Sequence, residues 1–395
     1  MRKGTGTVGA SRAAAWSIAA GCALFPLAVF LYVALSRAGY PLDLEWVEGS
    51  CVAMANRFAR GLPLYEAPSI RGIALPYFPL YFVLTGLLFK ITGPVYWAGR
   101  LLSLGATLGT GGLLFWIVRR ETRQSLAGLI AAGMWFAAFG YCGFFYDLNR
   151  VDALAAFFLA GAFAAAFGRS GARAGALAGA LLAASALTKQ NHAAFMAPLL
   201  FALALRGDWR SALAAAAAFA LGFLPAVGLL DRSSGGMFTL LTLKLVPFGV
   251  TPGRVDAFFL SYLRHFPLSP ALAVAGAVLL ARQRSLRAMF GNPWLGLWLS
   301  GTALSLIFQL HPAGYINANI PAAFAASLAA GVFGANLAEW GKAKFAALNR
   351  PVAVWLAPVI AASLNAELNA LAVLLRVMLR GLATSGKASG FRAFP

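Results

Sequence analysis

Three carboxylates, Asp43, Glu45 and Glu48, lie within six residues of one another in a chain of 395 residues that contains only 12 acidic side chains. They closely follow the first long apolar run, which extends from Ala13 to Leu35. That position predicts a membrane edge, where a charge is costly unless water, a partner group or a substrate meets it. Clustered carboxylates can act as a general base or bind a divalent cation. The structural alternative is a solvated loop in which Glu48 is favoured by the dipole of a following helix.

The turn at 146–152 carries a second group of charged side chains, namely Asp147, Arg150 and Asp152. Asp147 and Arg150 are three residues apart and can pair on one face of a helix, which is the purely structural interpretation. The order of apolar runs places this turn on the same side of the membrane as the first acid cluster. Two carboxylate-bearing loops that face one compartment can form a single site.

Two more polar segments are predicted on that side. Lys189, within 188–192, is either a lysine whose stem follows apolar surface to the interface or a point charge that binds a lipid phosphate. His311 and Asn317 bound a polar turn that is either a helix-breaking loop or part of the same site. The three histidines and the cysteines lack the spacing of a zinc site.

The composition is typical of an integral membrane protein, with 61% hydrophobic and 11% charged residues. Apolar stretches separated by short charged segments predict an all-α polytopic fold with about 10–11 transmembrane helices. The formal net charge of +20 comes largely from basic clusters at alternate ends of these stretches. This is the positive-inside pattern, and a basic stripe with interleaved aromatic residues for nucleic acid is absent from the sequence.

The predicted spans alternate with connections that position the charged segments. They lie near 14–35, 100–118, 125–141, 151–167, 175–188, 191–205, 211–230, 268–281, 293–310 and 322–338. A long outer first loop at 36–99 is predicted to carry an amphipathic surface helix, from the helical spacing of Val47, Cys51, Met54 and Phe58, and then a half-buried surface helix near 76–91. We assign residues 1–340 to one transmembrane module and 341–395 to a C-terminal apolar helix or hairpin with a basic tail.

In order and spacing these segments resemble the GT-C superfamily of integral-membrane glycosyltransferases, in the bacterial branch of protein mannosyltransferases and lipid A aminoarabinose transferases. The resemblance covers roughly residues 10–335. It is carried by Glu48-Gly49, 61–65, Tyr77–Phe82, Gly99-Arg100, Arg119-Arg120, Asp147 or Asp152, and Thr188-Lys189. One departure is Val47, which stands where the family usually has the first acid of a pair.

The resemblance implies a transferase that inverts the anomeric carbon and uses a polyprenyl-phosphate sugar as donor. Transfer to a glycan, lipid or protein acceptor would occur on the outer face of a bacterial inner membrane. Glu48 is the first candidate for the general base, because a carboxylate must deprotonate the acceptor hydroxyl. Asp43 or Glu45 are alternative bases, or ligands of a divalent cation such as Mg²⁺ or Mn²⁺.

The remaining candidates would bind the substrates. Asp147 would orient the acceptor or hold a cation, and Lys189, Arg150 or a metal ion would stabilise the leaving phosphate. Asp152, Tyr77, Tyr81, His311 and Asn317 complete the predicted substrate-binding set, with the two tyrosines lining a lipid groove or serving as interfacial aromatics.

Two other functions remain open from the sequence. A carrier for a lipid or polysaccharide should show an internal repeat and charged or broken helices near the bilayer midplane. The acids at span ends and the lack of a clear repeat favour the enzyme. A catalytically inactive scaffold of the same fold is the third interpretation, because Val47 replaces an acid.

Overall fold

The computed structural model describes residues 5–69, 75–245, 249–251 and 253–345, and its regular elements are all helices. They are α1 (Thr5–Ala38), α2 (Glu48–Ala59), α3 (Leu80–Thr92), α4 (Tyr96–Thr122), α5 (Ser125–Ala137), α6 (Val151–Gly168), α7 (Ala172–Thr188), α8 (Met196–Leu205), α9 (Trp209–Ser233), α10 (Met237–Thr239), α11 (Arg254–His265), α12 (Leu268–Gln283), α13 (Leu286–Phe290), α14 (Pro293–Leu310) and α15 (Ile320–Phe345). Single turns of 3-10 or π helix at Gln190–Phe195, Leu240–Lys244 and Ile316–Asn319 continue into or out of these helices.

Within the described residues, six helices are long and apolar enough to cross a membrane, and α11 with α12 forms one further candidate that is bent by 85°. Four apolar helical segments are shorter: Leu80–Thr92, Ser125–Ala137, Ala172–Thr188 and Gln190–Leu205. Each of the ten spans predicted before residue 340 coincides with one of these helices or with α12. The predicted all-α polytopic fold is therefore confirmed, and the protein is a multi-pass membrane protein.

The long first loop carries two helices, α2 and α3, that pack closely on each other. A Cβ placed on Gly86 of α3 would lie 2.6 Å from the carbonyl oxygen of Ala55 in α2, so only glycine allows this approach. With 13 residues, α3 is about 20 Å long and too short for a hydrocarbon core of about 30 Å. The Tyr81 hydroxyl donates to the Gly99 carbonyl, so α3 lies beside the first turns of α4. Both helices occupy the end of the bundle where the sequence predicted surface helices.

Small residues bring α7 and α9 into direct backbone contact. A Cβ on Gly175 or Gly179 would lie 2.1 Å from the carbonyl oxygen of Ser211 or Ala215, respectively. Small residues four apart on both helices are a common solution in membranes, where close packing and hydrogen bonds replace the hydrophobic effect. This contact fixes α7, whose C-terminal end carries Lys189.

The turn between α5 and α6 is held by a buried aromatic stack. The rings of Trp135 and Tyr146 lie 4.2 Å apart between centroids, and the indole of Trp135 donates to the Thr107 carbonyl. The Thr107 hydroxyl in turn donates to the carbonyl of Tyr146 at 2.6 Å. These contacts fix residues 146–152 against the middle of α4.

The predicted division at residue 340 falls inside α15, which continues to Phe345. The rest of the predicted unit 341–395 lies outside the described residues.

Candidate active site

Glu48, the first residue of α2, is completely buried against Arg100 of α4. The guanidinium donates through Nε to Oε1 at 3.0 Å and through Nη2 to Oε2 at 2.7 Å. Each carboxylate oxygen accepts one more hydrogen bond, from the backbone amides of Asn149 at 2.7 Å and Leu44 at 2.8 Å. The carboxylate that the sequence suggested first as base is thus fully engaged and out of reach of an acceptor hydroxyl in this conformation.

Arg100 also organises the chain that precedes the acid cluster. Its Nη1 donates to the Tyr40 carbonyl at 2.5 Å, and its Nη2 donates to the Leu42 carbonyl at 2.7 Å. Since Arg100 is 1% exposed, these charge-assisted bonds form in a region of low dielectric, where they are strong. The loop 39–47 is therefore held at a defined position over α4.

Asp147 is buried and paired with Arg37 at the end of α1. Arg37 Nε donates to Oδ2 at 2.6 Å, a second guanidinium nitrogen contacts Oδ1, and Nη2 also donates to the Phe144 carbonyl at 2.8 Å. Asp147 therefore holds the turn 141–150 against α1. Glu48 and Asp147, taken from two loops far apart in sequence, lie at one end of the bundle, with the amide of Asn149 linking their surroundings.

Arg150 is the centre of a second buried charge cluster. Its Nη1 donates to Glu45 Oε2 at 2.6 Å and its Nη2 donates to the Tyr77 hydroxyl at 2.8 Å. Its guanidinium also lies over the Phe145 ring at 4.9 Å from the centroid, a cation–π contact. Burial raises the pKa of Tyr77 to about 12, so its hydroxyl stays neutral at physiological pH.

Asp152, at the first turn of α6, connects Arg150 to Lys189. Lys189 Nζ donates to Asp152 Oδ1 at 2.6 Å, and the Asn317 amide donates to the same oxygen at 2.8 Å. Arg150 Nε approaches Asp152 Oδ2 at 3.4 Å. Four chain segments that the sequence placed on one side thus meet here: the first loop, the turn before α6, the end of α7 and the turn before α15.

Several polar atoms around this cluster are buried without a hydrogen-bond partner. Two are Glu45 Oε1 and Gln190 Oε1, whereas Arg150 Nε and Asp152 Oδ2, which also lack a hydrogen bond, form an ion pair with each other at 3.4 Å. Such atoms cost free energy unless water or a ligand satisfies them. Glu45 Oε1 and Gln190 Oε1 are acceptors, which suits a ligand that donates hydrogen bonds from hydroxyl groups.

Asp43 differs from the other acids of the loop because it is exposed. Its carboxylate lies near the hydroxyl of Tyr96, the first residue of α4, and burial and this neighbouring carboxylate raise the pKa of Tyr96. A Cβ on Gly49 would lie 3.0 and 3.1 Å from its two oxygens, so glycine leaves room for the carboxylate to rest on the start of α2. Asp43 is therefore an oriented carboxylate that remains accessible.

The other predicted residues lie around these groups. Tyr77 is half-buried beside Arg150, whereas Tyr81 is fully buried, because Asn149 and Gly99 provide partners for its hydroxyl. Tyr81 therefore does not face a lipid groove in this conformation. His311 is half-buried, and its Nδ1 accepts a hydrogen bond from the backbone amide of Ala313 in the same turn.

A divalent cation does not fit the loop as the structure shows it. Among residues 5–69, 75–245, 249–251 and 253–345 no three His, Cys, Asp or Glu side chains come together in a way that could hold a metal ion. Glu45, one of the two predicted ligands, is instead held by Arg150, whose charge opposes a cation. Metal dependence stays a prediction.

Sequence reasoning did not select Arg37, Arg100 or Tyr96 as site residues. Arg37 follows an apolar run and Arg100 lies within one, where an arginine is costly unless an acid pairs with it. Searching for the partners of these two arginines would have pointed to Asp147 and Glu48. Val47 is buried in the apolar cluster of α2 and α3, so the position of the missing family acid does not face the exposed side of the loop.

Solved structures share this fold, in which a helix-bearing first loop lies over a bundle of membrane helices. One is a crystal structure of ArnT from Cupriavidus metallidurans bound to undecaprenyl phosphate, with a TM-score of 0.59 and 16% identity over 90% of this chain and 72% of that chain. Another is ArnT from the same organism in the apo state, with a TM-score of 0.56 and 16% identity over 87% of this chain and 75% of that chain. No family model and no curated protein sequence matches the chain.

Proposed function

We propose that this protein is a GT-C-type glycosyltransferase that moves a sugar from a polyprenyl-phosphate donor to an acceptor hydroxyl. The observation that carries the proposal is the exposed and oriented carboxylate of Asp43 at the end of the bundle where the Arg150–Lys189 cluster lies. The fold supports it, because a structure of similar fold, ArnT, was solved with undecaprenyl phosphate bound.

Asp43 is the general base in this proposal. The acceptor hydroxyl transfers its proton to the Asp43 carboxylate as its oxygen forms a bond to the anomeric carbon. The bond from that carbon to the phosphate oxygen breaks, and its electron pair leaves with the polyprenyl phosphate. A single displacement of this kind inverts the anomeric carbon. Glu48 acts indirectly, because its ion pair with Arg100 fixes the loop that presents Asp43.

The leaving phosphate is bound by Lys189 and Arg150. Lys189 is an ammonium with three donors, and the single hydrogen bond to Asp152 leaves two of them for phosphate oxygens. Arg150, whose Nε lies 3.4 Å from Asp152 Oδ2, adds a second positive charge beside Lys189. Two preorganised cations in a buried setting stabilise the charge that develops on the leaving group.

The acid-bearing end faces outward in the proposed topology, on the outer side of a bacterial inner membrane. The arginine-rich connections at the opposite span ends would then face the cytoplasm, in agreement with the positive-inside rule. A lipid-linked donor requires a site at the bilayer surface, and α2 and α3 lie at that level.

Sugar transfer by the purified full chain tests the proposal. Radiolabelled polyprenyl-phosphate sugars are supplied with a panel of lipid, glycan and protein acceptors, and wild type is compared with Asp43→Asn and Lys189→Met. Asp256→Asn is the matched control, because Asp256 is an exposed acid of α11. We expect transfer by wild type and the control, and strong loss in the other two variants.

Three results would contradict parts of this proposal. Full activity in folded Asp43→Asn would remove Asp43 as base. No transfer by wild type from any donor, together with movement of a fluorescent polyprenyl-phosphate lipid across proteoliposomes, would favour the carrier. Absence of both activities would favour the inactive scaffold.

A further inference from the structure

Within the part of the chain that the structure describes, the arginines at the end of the bundle opposite the acid clusters form no close ion pairs. This arginine-rich end comprises Arg119, Arg120, Arg123, Arg169, Arg173, Arg206, Arg210, Arg282, Arg284 and Arg287. The 27 residues of α4 separate it by about 40 Å from Tyr96. The ion pairs among the described residues involve Arg37, Arg57, Arg100, Arg150 and Lys189, and none of the arginines of this end.

Two of these arginines converge on the last turn of α6. Arg120 places a guanidinium nitrogen 2.6 Å from the position of a Cβ on Gly168, and its Cζ lies 5.2 Å from the Trp116 ring centroid. Arg206 comes from the end of α8 and places its Cζ 5.3 Å from the ring centroid of Phe167. Consecutive residues of α6 are thus approached by guanidinium groups from two other helices, and the exposed Arg169 follows directly in the chain.

Local structure neutralises this concentration of charge only in part, because the hydrogen bond from Ser211 and the charge of Arg206 lower the pKa of Asp208. A helix C-terminus favours a nearby cation, which accounts for part of the attraction. The acids close by in sequence are Glu121 and Asp208, and neither takes part in an ion pair in the described part of the chain. Asp208 accepts instead from the amide and hydroxyl of Ser211 at the start of α9. An anion bound between the arginines would relieve their mutual repulsion.

The surroundings indicate an anion that belongs to the membrane. Trp116 is 45% exposed and Trp209 is 61% exposed at this end. Exposed tryptophans at the ends of membrane helices are typical of the headgroup level. Basic residues there attract anionic lipids of the adjoining leaflet.

We propose that Arg120, Arg169 and Arg206 form a binding site for the phosphate headgroup of an anionic phospholipid at the C-terminal end of α6. The site lies at the opposite end of α6 from Asp152 and does not depend on the proposed transferase activity. Lipid bound there connects the ends of α4, α6 and α8.

Native mass spectrometry of the full chain in mild detergent tests the site, with phosphatidylglycerol and phosphatidylcholine titrated separately. Wild type is compared with Arg120→Gln/Arg206→Gln and with the charge-matched control Arg282→Gln/Arg284→Gln. We expect the first variant to bind phosphatidylglycerol at least about tenfold more weakly, since each arginine contributes to the attraction. The control should bind it nearly as wild type does.

Three outcomes would overturn the proposal. Equal weakening in both double variants would show general charge attraction without a site. Equal binding of phosphatidylcholine by wild type would exclude selection by headgroup charge. Competition by soluble glycerol 3-phosphate at the concentration of the lipid would indicate a site for a soluble anion. Unfolding temperatures measured in lipid-free detergent show whether each variant is folded. If the double variant is unstable, the lipid titration is made with the single variants Arg120→Gln and Arg206→Gln.

Discussion

The Glu48 carboxylate and the Arg100 guanidinium face each other through two parallel hydrogen bonds, with both side chains excluded from solvent. Breaking such a buried pair by changing one partner leaves an uncompensated charge and costs about 3–5 kcal/mol. We therefore expect Glu48→Gln to lower the unfolding temperature strongly. Thermal unfolding in detergent, followed by circular dichroism, measures this.

The double variant Glu48→Leu/Arg100→Met separates the two functions of the pair. Replacing both charges with apolar groups of similar size is often neutral for stability. We expect the double variant to regain much of the stability lost in Glu48→Gln, yet to stay inactive, because Arg100 no longer binds the carbonyls of Tyr40 and Leu42. A double variant as unstable as Glu48→Gln would show that the pair contributes more than charge compensation.

The Asp43 carboxylate should matter for transfer and little for stability. Its side chain is exposed, and exposed substitutions usually change the free energy of unfolding by less than about 0.5 kcal/mol. Loss of a general base costs about 10²–10⁴-fold in rate. We expect Asp43→Asn to reduce kcat by that range with an unchanged unfolding temperature, as measured by initial rates and thermal unfolding. A large loss of stability would instead assign Asp43 a structural function.

Gly49→Ala tests whether the orientation of Asp43 is important. The new Cβ would lie 3.0 Å from one Asp43 oxygen and 3.2 Å from the Tyr96 hydroxyl, so the carboxylate must move. Misplacing a catalytic group by about 1 Å can cost about 10²-fold in rate. We expect lower kcat with unchanged or slightly higher stability, because alanine favours the helix.

Gly39→Ala is the matched control for that variant. A Cβ there meets nothing within 4 Å, although Gly39 belongs to the same loop. Equal loss of activity in both variants would indicate that any change to the loop is harmful. The contact between residue 49 and the Asp43 carboxylate would then not explain the loss.

Helix positions were predictable from the sequence because each span is a local apolar run. The meeting of the segments around 45, 150, 189 and 317 also followed from charge alternation, which assigns them to one side. Which acidic side chain pairs with which arginine or lysine could not be predicted. Glu48 and Asp43 are five residues apart and chemically alike, and only the packing of α2 on α4 buries one and exposes the other. The sequence also could not show whether Tyr81 faces a lipid groove or the interior. Its hydroxyl finds buried partners in Gly99 and Asn149, so the side chain is buried.

The reactivity of the Cys51 thiol shows whether α2 stays packed against its neighbours. Burial raises its pKa to about 12, so at pH 8 the reactive thiolate is essentially absent in the folded protein. In the unfolded chain the pKa returns to about 8.5, and labelling becomes fast. We expect no reaction of Cys51 with maleimide at pH 8 until the protein unfolds, with mass spectrometry of peptides as the measurement.

Glu48→Gln should change that behaviour selectively. If the ion pair with Arg100 holds α2 in its packed position, its loss exposes Cys51 through local opening. Labelling of Cys51 at pH 8 then becomes faster before the protein unfolds globally. Cys142 is the internal control, because it is also buried but lies in the turn held by Trp135 and Tyr146. Faster labelling of Cys51 with unchanged Cys142 would establish local opening of the first loop. Equal acceleration at both cysteines would show that Glu48 stabilises the whole bundle. The hypothesis that the ion pair stabilises the packing of α2 alone would then be wrong.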